Sequence, residues 1–423
     1  MTTQTPPTCS CPEYGTSRRA FLTRAMAAGA ATVATTMFGD TFRQTAYAAT
    51  NGNVLVVLSL RGGCDGLSLV VPHGDPAYAA ARPNIAVPTA PLLAKDEMFG
   101  LHPALKPLES MWTDKKLTAI HATGLKQPNR SHFSAIEEIE DADAGSSTRT
   151  GWINRLIGLD TLNAPIEAVT VGSGVQPASM YGPQPTLSAL RADDIELSGA
   201  NDPDGVVGRR RALNQVWGEA GGTLAVGARS TLTTTATVGP RLQRAYAPAN
   251  GARYPQSELG RAMSDTARLI KAQVGVEVVT LDYGSWDMHS NLGDLDSQTS
   301  TFNGMAGQMA LALKAFFTDL GAEGNRVTLV TLTEFGRRLA ENGARGLDHG
   351  WANATLLMGA GVNGGKYYGT WPGLDPNSIV DGDLAVTTDY RSVLSEILVK
   401  RFNVSTSKVF PSFTPETIGA VSA

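Results

Sequence analysis

Cysteine is scarce in this sequence, which holds three cysteines among its 423 residues. Cys9 and Cys11 lie near the amino terminus, and Cys64 is the third. If the amino-terminal segment is removed, Cys64 has no partner for an internal disulfide, and a cysteine-ligated zinc site is excluded. Any metal site must then be built from aspartate, glutamate and histidine side chains.

The sequence also lacks basic clusters and long apolar runs. Its formal net charge is −4, and no stripe of lysine or arginine predicts nucleic acid as a partner. The most apolar stretch near the amino terminus, from Ala25 to Phe38, is rich in Ala, Gly and Thr. It falls short of the roughly 20 apolar residues of a stable membrane span. Hydrophobic residues make up 42% of the chain and charged residues 17%, which indicates a globular protein.

The first 48 residues have the three-part order of a secretory signal. Arg18 and Arg19 precede the weakly apolar stretch, and Ala46-Tyr47-Ala48 supplies the small-x-small pattern of a cleavage site. The arginine pair narrows the prediction to the twin-arginine route. We therefore expect residues 1–48 to engage the twin-arginine translocase and the mature protein to be periplasmic or extracellular. The alternative is an amino-terminal tail with a chance arginine pair.

Apolar, β-branched runs alternate with helical patterns through most of the remaining chain. The run from Asn53 to Leu60 predicts a buried parallel strand, and Val276–Leu281 and Val327–Leu332 are of the same kind. This alternation predicts an α/β fold: a mostly parallel central sheet with helices on both faces. We expect one domain over residues 49–423, with 195–255 as an irregular insertion or cap.

Acidic and histidine side chains follow several of the predicted strands, where ligands bind in open α/β sheets. They are Asp65 after the first strand, Asp287 and His289 after a later one, Glu334 after a third, and Asp348 with His349 before the last. Carboxylates and imidazoles that converge in this way predict a divalent metal site, with zinc, manganese or calcium as the candidates. Each residue taken singly could instead form a turn, cap a helix or serve a structural role.

Two further residues are candidates for catalysis. Ser131 is placed at the start of a predicted helix, where free N–H groups attract an anion, and its hydroxyl is a candidate nucleophile. The alternative is a helix N-cap without chemistry. Arg61, or Arg130, is a candidate clamp for an oxyanion, and the alternative for both is a surface position.

Several distinctive motifs follow one another along the mature chain. They are LSLRGGCDGLSLVVPHGDPAY, LHPAL, NRSHFSA, GWINRLIG, WDMHSN, TEFGRR, GLDHGWAN and TTDYRSVLSEIL, in this order. Together they resemble the motifs of the exported bacterial family DUF1501. That family in turn resembles the alkaline phosphatase and sulfatase superfamily. The resemblance implies an alkaline-phosphatase-like fold in which Asp65, Asp287, His289, Asp348 and His349 bind metal and Ser131 is the nucleophile.

The chain departs from the superfamily pattern at several points. Only Met288 separates Asp287 from His289, and no histidine follows His349, in contrast to alkaline phosphatases. The site therefore fits one metal as well as two, unless Glu334 or Asp389 substitutes for the missing ligand. Cys64 is followed by Asp-Gly, which lacks the sulfatase maturation signal.

The leading hypothesis is an exported metal-dependent hydrolase of phosphate or related esters, acting on a small-molecule or polymer substrate. The rival hypothesis is a non-catalytic binding or assembly protein on a phosphatase-like scaffold, because fold does not determine function. A third is a degenerate enzyme whose metal is only structural.

Overall fold

The computed structural model describes residues 52–143, 149–159, 166–199, 202–292 and 300–423. The predicted leader, residues 1–48, lies outside these ranges, as does its cleavage site. None of the helices within them combines the length and the apolar character that crossing a bilayer requires.

A central sheet and a small two-stranded antiparallel sheet contain the strands of the described residues. Their bounds are β1 Val54–Leu60, β2 Val70–Val71, β3 Gly100–Leu101, β4 Leu117–Gly124, β5 Ala168–Val171, β6 Leu187–Ala189, β7 Val278–Tyr283, β8 Val327–Leu332, β9 Asn353–Gly359, β10 Tyr367–Tyr368 and β11 Thr388–Asp389. The central sheet runs in the order β10-β4-β9-β8-β1-β7-β5-β6, with β11 beside β4, and β2 pairs with β3.

The predicted parallel character of the sheet is confirmed. β1 lies between β7 and β8 and is parallel to both, with Leu58 opposite Leu281 on one side and Thr331 on the other. β9 is the exception, because it runs antiparallel to both β8 and β4. The carboxyl ends of β1, β7 and β8 therefore meet at one edge of the sheet, and the residues that follow them lie close together.

Helices cover both faces of the sheet. Their bounds are α1 Gly66–Leu69, α2 Pro76–Ala81, α3 Glu109–Thr113, α4 His132–Asp141, α5 Trp152–Ile157, α6 Pro203–Trp217, α7 Thr223–Thr237, α8 Gly239–Leu242, α9 Glu258–Lys271, α10 Thr301–Leu320, α11 Tyr390–Phe402 and α12 Thr406–Val409. Short 3-10 helices cover Pro103–Leu108, Ala178–Met180, Ala192–Asp194 and Gly321–Arg326.

Alternate residues of β1 enter two separate cores, as the twofold period of a strand requires. Val54, Val56 and Leu58 pack in the core that contains buried side chains of α9 and α10. Leu55 and Val57 pack in the other core, with side chains of α4, α5 and α11. Apolar burial on both faces explains why β1 is a continuous apolar run in the sequence.

Residues 195–255 are more regular than their sequence pattern predicts. α6 and α7 pack through a small core of their own, which contains Leu197, Ala228 and Leu232. The Thr-rich stretch lies within α7, where Thr233 and Thr237 donate hydroxyl hydrogen bonds to backbone carbonyls four residues earlier. Such bonds satisfy the hydroxyls inside a helix, which is why a threonine run need not interrupt one.

A glycine turn at the end of β1 allows the chain after β7 to come close. Gly62 has a φ of +107°, and a Cβ added there would lie 2.7 Å from the backbone nitrogen of Asp287. Only glycine combines this backbone conformation with so close an approach. The turn therefore sets where Asp287 lies relative to β1.

Candidate metal centre

Four side chains from three parts of the chain meet beyond the carboxyl edge of the sheet. His132 is the first residue of α4, Asp287 and His289 follow β7, and His349 precedes β9. The Nε2 atom of His349 lies 3.0 Å from His132 Nε2 and 2.9 Å from His289 Nε2. It also lies 3.2 Å from Asp287 Oδ1. We refer to His132, Asp287, His289 and His349 as the four-residue cluster.

The carboxylate of Asp287 contacts the other two imidazoles as well. Its Oδ1 lies 3.0 Å from His289 Nε2, and its Oδ2 lies 3.5 Å from His132 Nε2. Ligand atoms around a tetrahedral zinc ion, with bonds of about 2.05 Å, lie about 3.3 Å apart. The separations among His132, Asp287 and His349 are close to these values, and the ligand atoms of these three residues all lie within 4.8 Å of one another. His289 lies beside this group and contacts Asp287 and His349.

Each imidazole of the cluster binds an acceptor through its other ring nitrogen. The Nδ1 atom of His132 donates to Glu334 Oε1 at 2.7 Å, and that of His289 donates to Asp348 Oδ1 at 3.0 Å. The Nδ1 atom of His349 donates to the backbone carbonyl of Arg130 at 2.8 Å. A carboxylate or carbonyl oxygen only accepts, so each of these rings carries its proton on Nδ1.

These tautomers decide what the cluster can bind. An imidazole protonated only on Nδ1 has its lone pair on Nε2. The Nε2 atoms of His132 and His289 both lie against that of His349, beside the Asp287 carboxylate. Electron-rich atoms at these distances repel one another unless a proton or a metal cation lies between them. Histidines that ligate metals almost always donate their second ring N–H in this way. The residues present thus fit a bound divalent cation.

Arg337 binds the carboxylate of Asp287 from the buried side of the cluster. Its side chain is 1% exposed, and its Nη2 atom donates to Asp287 Oδ1 at 2.6 Å. It also donates to the carbonyls of Gly63 and Leu347, at 2.6 and 2.9 Å. Partial burial opposes ionisation of Asp287, but the hydrogen bond and charge of Arg337 outweigh it and lower the carboxyl pKa to about 2. Asp287 is therefore an anion at neutral pH.

The cluster is closed on one side and open on the other. Phe335 is buried, and its ring centroid lies 4.7 Å from those of both His132 and His349. The side chains of Asp287 and His289 are 43% and 44% exposed. A substrate can therefore approach from the solvent side, while the protein side holds the imidazoles in fixed orientations.

Glu334 and Asp348, two of the expected metal ligands, lie behind the histidines. Glu334 Oε1 also accepts from the amide of Gly62 at 2.8 Å, and Oε2 accepts from the Thr333 hydroxyl at 3.1 Å. Asp348 Oδ1 also accepts from Asn342 Nδ2 at 3.1 Å. In this structure both carboxylates orient an imidazole instead of joining the cluster.

Asp65, the metal ligand expected after the first strand, is paired with Arg82. Arg82 is fully buried and donates from Nη2 to Asp65 Oδ1 at 3.0 Å and from Nη1 to Oδ2 at 2.5 Å. Both oxygens of this carboxylate are therefore neutralised within the protein, and the structure does not bring Asp65 into the cluster. Asp389, the other substitute considered, caps α11 and pairs with Arg391 at 2.8 Å.

The guanidinium of Arg61 is also paired with carboxylates. Its Nη2 atom donates to Glu140 at 2.5 Å, and its Nε atom donates to Asp282 at 3.0 Å. Two carboxylates thus surround one guanidinium, which leaves no net positive charge there for an oxyanion. This arrangement differs from the clamp predicted from the sequence.

Ser131 lies where the sequence predicts it, at the N-cap of α4 and next to His132. Its hydroxyl makes no capping hydrogen bond and the residue is exposed, while its amide donates to Asn129 Oδ1 at 3.1 Å. The hydroxyl is therefore not committed to the helix end.

His132 is the member of the cluster that the strand-end rule misses. It begins a helix instead of following a strand, so the rule does not include it. The available signal was its position inside the motif NRSHFSA, directly after the candidate nucleophile.

Several solved structures are similar to this chain at low identity. The C-terminal periplasmic domain of EptC from Escherichia coli is 8% identical, with 90% of this chain and 91% of that one covered and a TM-score of 0.38. The lipoteichoic acid synthase LtaP from Listeria monocytogenes is 9% identical, with 84% and 80% covered and a TM-score of 0.31. A protein in the alkaline phosphatase superfamily from Vibrio parahaemolyticus is 10% identical, with 78% and 66% covered and a TM-score of 0.31.

No curated protein matches the chain in sequence. A family model does match part of it, and the matched part includes Asp287, His289 and His349. The family predicted from the motifs is thereby confirmed over this stretch: residues 231–394 match the model of DUF1501, which is described as a protein of unknown function.

Proposed function

We propose that this protein is an exported, metal-dependent hydrolase of phosphate or related esters. The observation that carries the proposal is the convergence of three imidazole Nε2 atoms and one carboxylate, with each Nδ1 proton bound to an acceptor. A substrate ester would bind on the solvent-exposed side of this cluster.

The donor set favours zinc among the candidate metals. The imidazole nitrogens of His132 and His349 and a carboxylate oxygen of Asp287 lie within 4.8 Å of one another, with His289 beside them. Nitrogen and oxygen donors of this kind suit zinc, whereas calcium takes six to eight oxygen ligands. His132, Asp287, His289 and His349 would hold the ion. A bound zinc ion supplies a Lewis acid that polarises an ester oxygen.

The protein's own groups supply the rest of the proposed chemistry. The first turn of α4 presents backbone N–H groups beside the cluster, and such groups bind the oxygens of an anion. The uncommitted hydroxyl of Ser131 is the proposed nucleophile, since it lies at this helix start and next to His132. Arg337 and Glu334 keep Asp287 and His132 in fixed orientations, which limits the rearrangement that the reaction requires.

A second candidate function is ligand binding without catalysis. It is favoured by the pairing of Asp65 with Arg82 and of Arg61 with two carboxylates, because neither side chain is then free to act on a substrate. In this alternative the cluster binds a cation that holds a ligand or stabilises the fold.

Metal content and ester turnover together test the proposal. We would purify the exported protein, measure zinc, manganese, calcium and iron per chain, and assay a panel of phosphate and sulfate esters. The variants are His349→Ala in the cluster and Ser131→Ala beside it. The matched control is His73→Ala, because His73 contacts the carbonyl of Asp96 and is no member of the cluster.

We expect about one zinc per chain, lost in His349→Ala and retained in the other two variants. Turnover should disappear in His349→Ala and fall strongly in Ser131→Ala. Zinc without turnover of any ester would favour the second candidate function, ligand binding without catalysis. Absence of metal from the wild-type protein would reject both candidate functions. Full turnover in Ser131→Ala would reject Ser131 as the nucleophile.

Export by the twin-arginine route is part of the proposal and rests on the sequence alone. Replacing Arg18 and Arg19 by lysine should leave the precursor in the cytoplasm, as measured by cell fractionation. Processed protein outside the cytoplasm at wild-type levels would reject this route.

A further inference from the structure

Arg130 connects the four-residue cluster to a buried carboxylate. Its backbone carbonyl accepts the Nδ1 proton of His349 at 2.8 Å. Its side chain donates from Nε to Asp383 Oδ2 at 2.9 Å, and Nη2 bonds the same oxygen. One residue thus contacts a candidate metal ligand through its backbone and Asp383 through its side chain.

Asp383 is a fully buried carboxylate whose hydrogen bonding is incomplete. Its side chain is 0% exposed, and its Oδ1 atom has no hydrogen-bond partner among the described residues. The next cation, Arg338, has its Nε atom 3.9 Å from that oxygen. A buried carboxylate with one oxygen unsatisfied costs free energy of folding. Stability alone therefore does not account for a carboxylate at this position.

The backbone around Asp383 is tied to the segment that carries His349. Leu339 donates its amide to the carbonyl of Gly382 at 3.2 Å, and Arg338 donates its amide to the carbonyl of Asp348 at 3.0 Å. Isolated bridges join Arg338 with Asp383 and Arg337 with His349. Asp383 therefore holds the loop before α4 against the same backbone segment that positions His349.

The guanidinium of Arg130 retains a free edge. Its bonds to Asp383 use Nε and Nη2 and leave Nη1 outside the pair, and the side chain is 34% exposed. Arg130 also faces one carboxylate, whereas Arg61 faces two. Of the two arginines considered as clamps, Arg130 is thus the one that can present donors to an anion.

We infer that Asp383 is a positioning residue that acts through Arg130, directing His349 Nε2 toward the cluster and presenting the Nη1 edge of Arg130 to the anionic group of a bound ester. This inference rests on the proposed metal-dependent function. The competing explanation is an ion pair that only stabilises the fold. The two differ in whether loss of Asp383 changes the affinity for metal and for an anion.

The test compares Asp383→Asn with Asp319→Asn. Asp319 is equally buried and pairs with Lys271. It lies at the carboxyl end of α10, which leads into the amino end of β8, whereas the cluster lies beyond the carboxyl ends of the strands, so Asp319→Asn is a matched loss of a buried charge. For each purified protein we would measure zinc affinity by competition with a chelating dye, inorganic phosphate affinity of the zinc-loaded protein by calorimetry, and urea unfolding. Because zinc and phosphate binding need no turnover, the result does not depend on finding the substrate.

We expect Asp383→Asn to lower zinc affinity about 10–100-fold, the effect typical of losing an outer-shell contact. Phosphate affinity should fall as well, while Asp319→Asn lowers stability and leaves both affinities unchanged. If Asp383→Asn does not fold, the double variant Asp383→Asn/Arg130→Gln removes the pair without leaving an unpaired charge, and the same losses are expected.

Wild-type affinities for zinc and phosphate in the Asp383 variants would overturn the inference and leave the proposed function standing. Equal losses in Asp319→Asn would overturn it too, since the effect would then follow stability. Absence of zinc binding by the wild-type protein would overturn both the inference and the proposed function.

Discussion

Glu334 accepts the Nδ1 proton of His132 at 2.7 Å, although the two residues are 202 positions apart in the chain. The same oxygen accepts the amide of Gly62 at 2.8 Å, so it joins the end of β1, the end of β8 and the start of α4. This contact places a proton on Nδ1 of His132 and directs its Nε2 atom toward His349. The orientation of one imidazole thus depends on three elements that are distant in sequence.

Replacing Glu334 by glutamine should therefore weaken metal binding without abolishing it. The amide is a poorer acceptor for the Nδ1 proton, so His132 loses basicity and orientation, and zinc affinity should fall about 10–100-fold. Competition with a chelating dye measures the change. The control is Glu396→Gln, since Glu396 also accepts backbone amides, from Gly419 and Val421. Equal zinc affinity in Glu334→Gln and wild type would contradict the role given to Glu334.

Zinc should stabilise the folded protein, because it binds the cluster and the unfolded chain has no such site. At a free zinc concentration of 100 times Kd, the free energy of unfolding should rise by about 2.7 kcal/mol, and a chelator should reverse the gain. His349→Ala should show neither effect. Urea unfolding with and without zinc measures both, and a zinc response that persists in His349→Ala would locate the ion elsewhere.

Asp65→Asn separates a structural role of this carboxylate from a metal-binding one. The substitution leaves the charge of fully buried Arg82 without its partner, which should lower the free energy of unfolding by about 3–5 kcal/mol. Zinc content of the folded variant should remain that of the wild type. A variant that loses its zinc while still folded would show that Asp65 belongs to the centre.

Acid should destabilise the fold through two buried histidines outside the centre. Burial lowers the pKa of His102 and of His121 to about 4, below the value of about 6.5 expected in an unfolded chain. Between these two values the unfolded chain binds protons that the folded protein does not. The free energy of unfolding therefore falls as the pH drops from about 6.5 toward 4, by up to about 1.4 kcal/mol per pH unit for each histidine.

His121→Phe isolates one of these two contributions. The ring of His121 stacks on Phe99 at 4.5 Å, and its Nδ1 atom has no hydrogen-bond partner among the described residues, so phenylalanine can replace it. Urea unfolding at pH 7 and pH 5 should show a smaller acid-induced loss in the variant. An unchanged loss would mean that His121 does not contribute to it.

The fold was largely predictable from sequence because burial on both faces leaves a local signal. The sequences of β1, β7 and β8 are apolar runs, which are typical of strands buried on both faces of a parallel sheet. Their parallel arrangement therefore follows from general rules of α/β proteins. The placement of Asp287 and His289 at one edge follows from the same rules, since both come after a central parallel strand. His349 precedes β9 and reaches the same edge because β9 runs antiparallel to β8, which the sequence pattern did not predict.

What each polar side chain does could not be read from the sequence in the same way. Glu334 and Asp348 share residue type and strand-end position with Asp287, yet they bind imidazole protons, while Asp287 points its oxygens at the Nε2 atoms. Asp65 follows β1 as expected, but Arg82 occupies both of its oxygens. Whether a carboxylate can contact a cation depends on the direction of its side chain and on hydrogen-bond partners from distant parts of the chain. Composition and periodicity determined the sheet and the edge where polar residues gather, and only the tertiary structure decided which of them face one another.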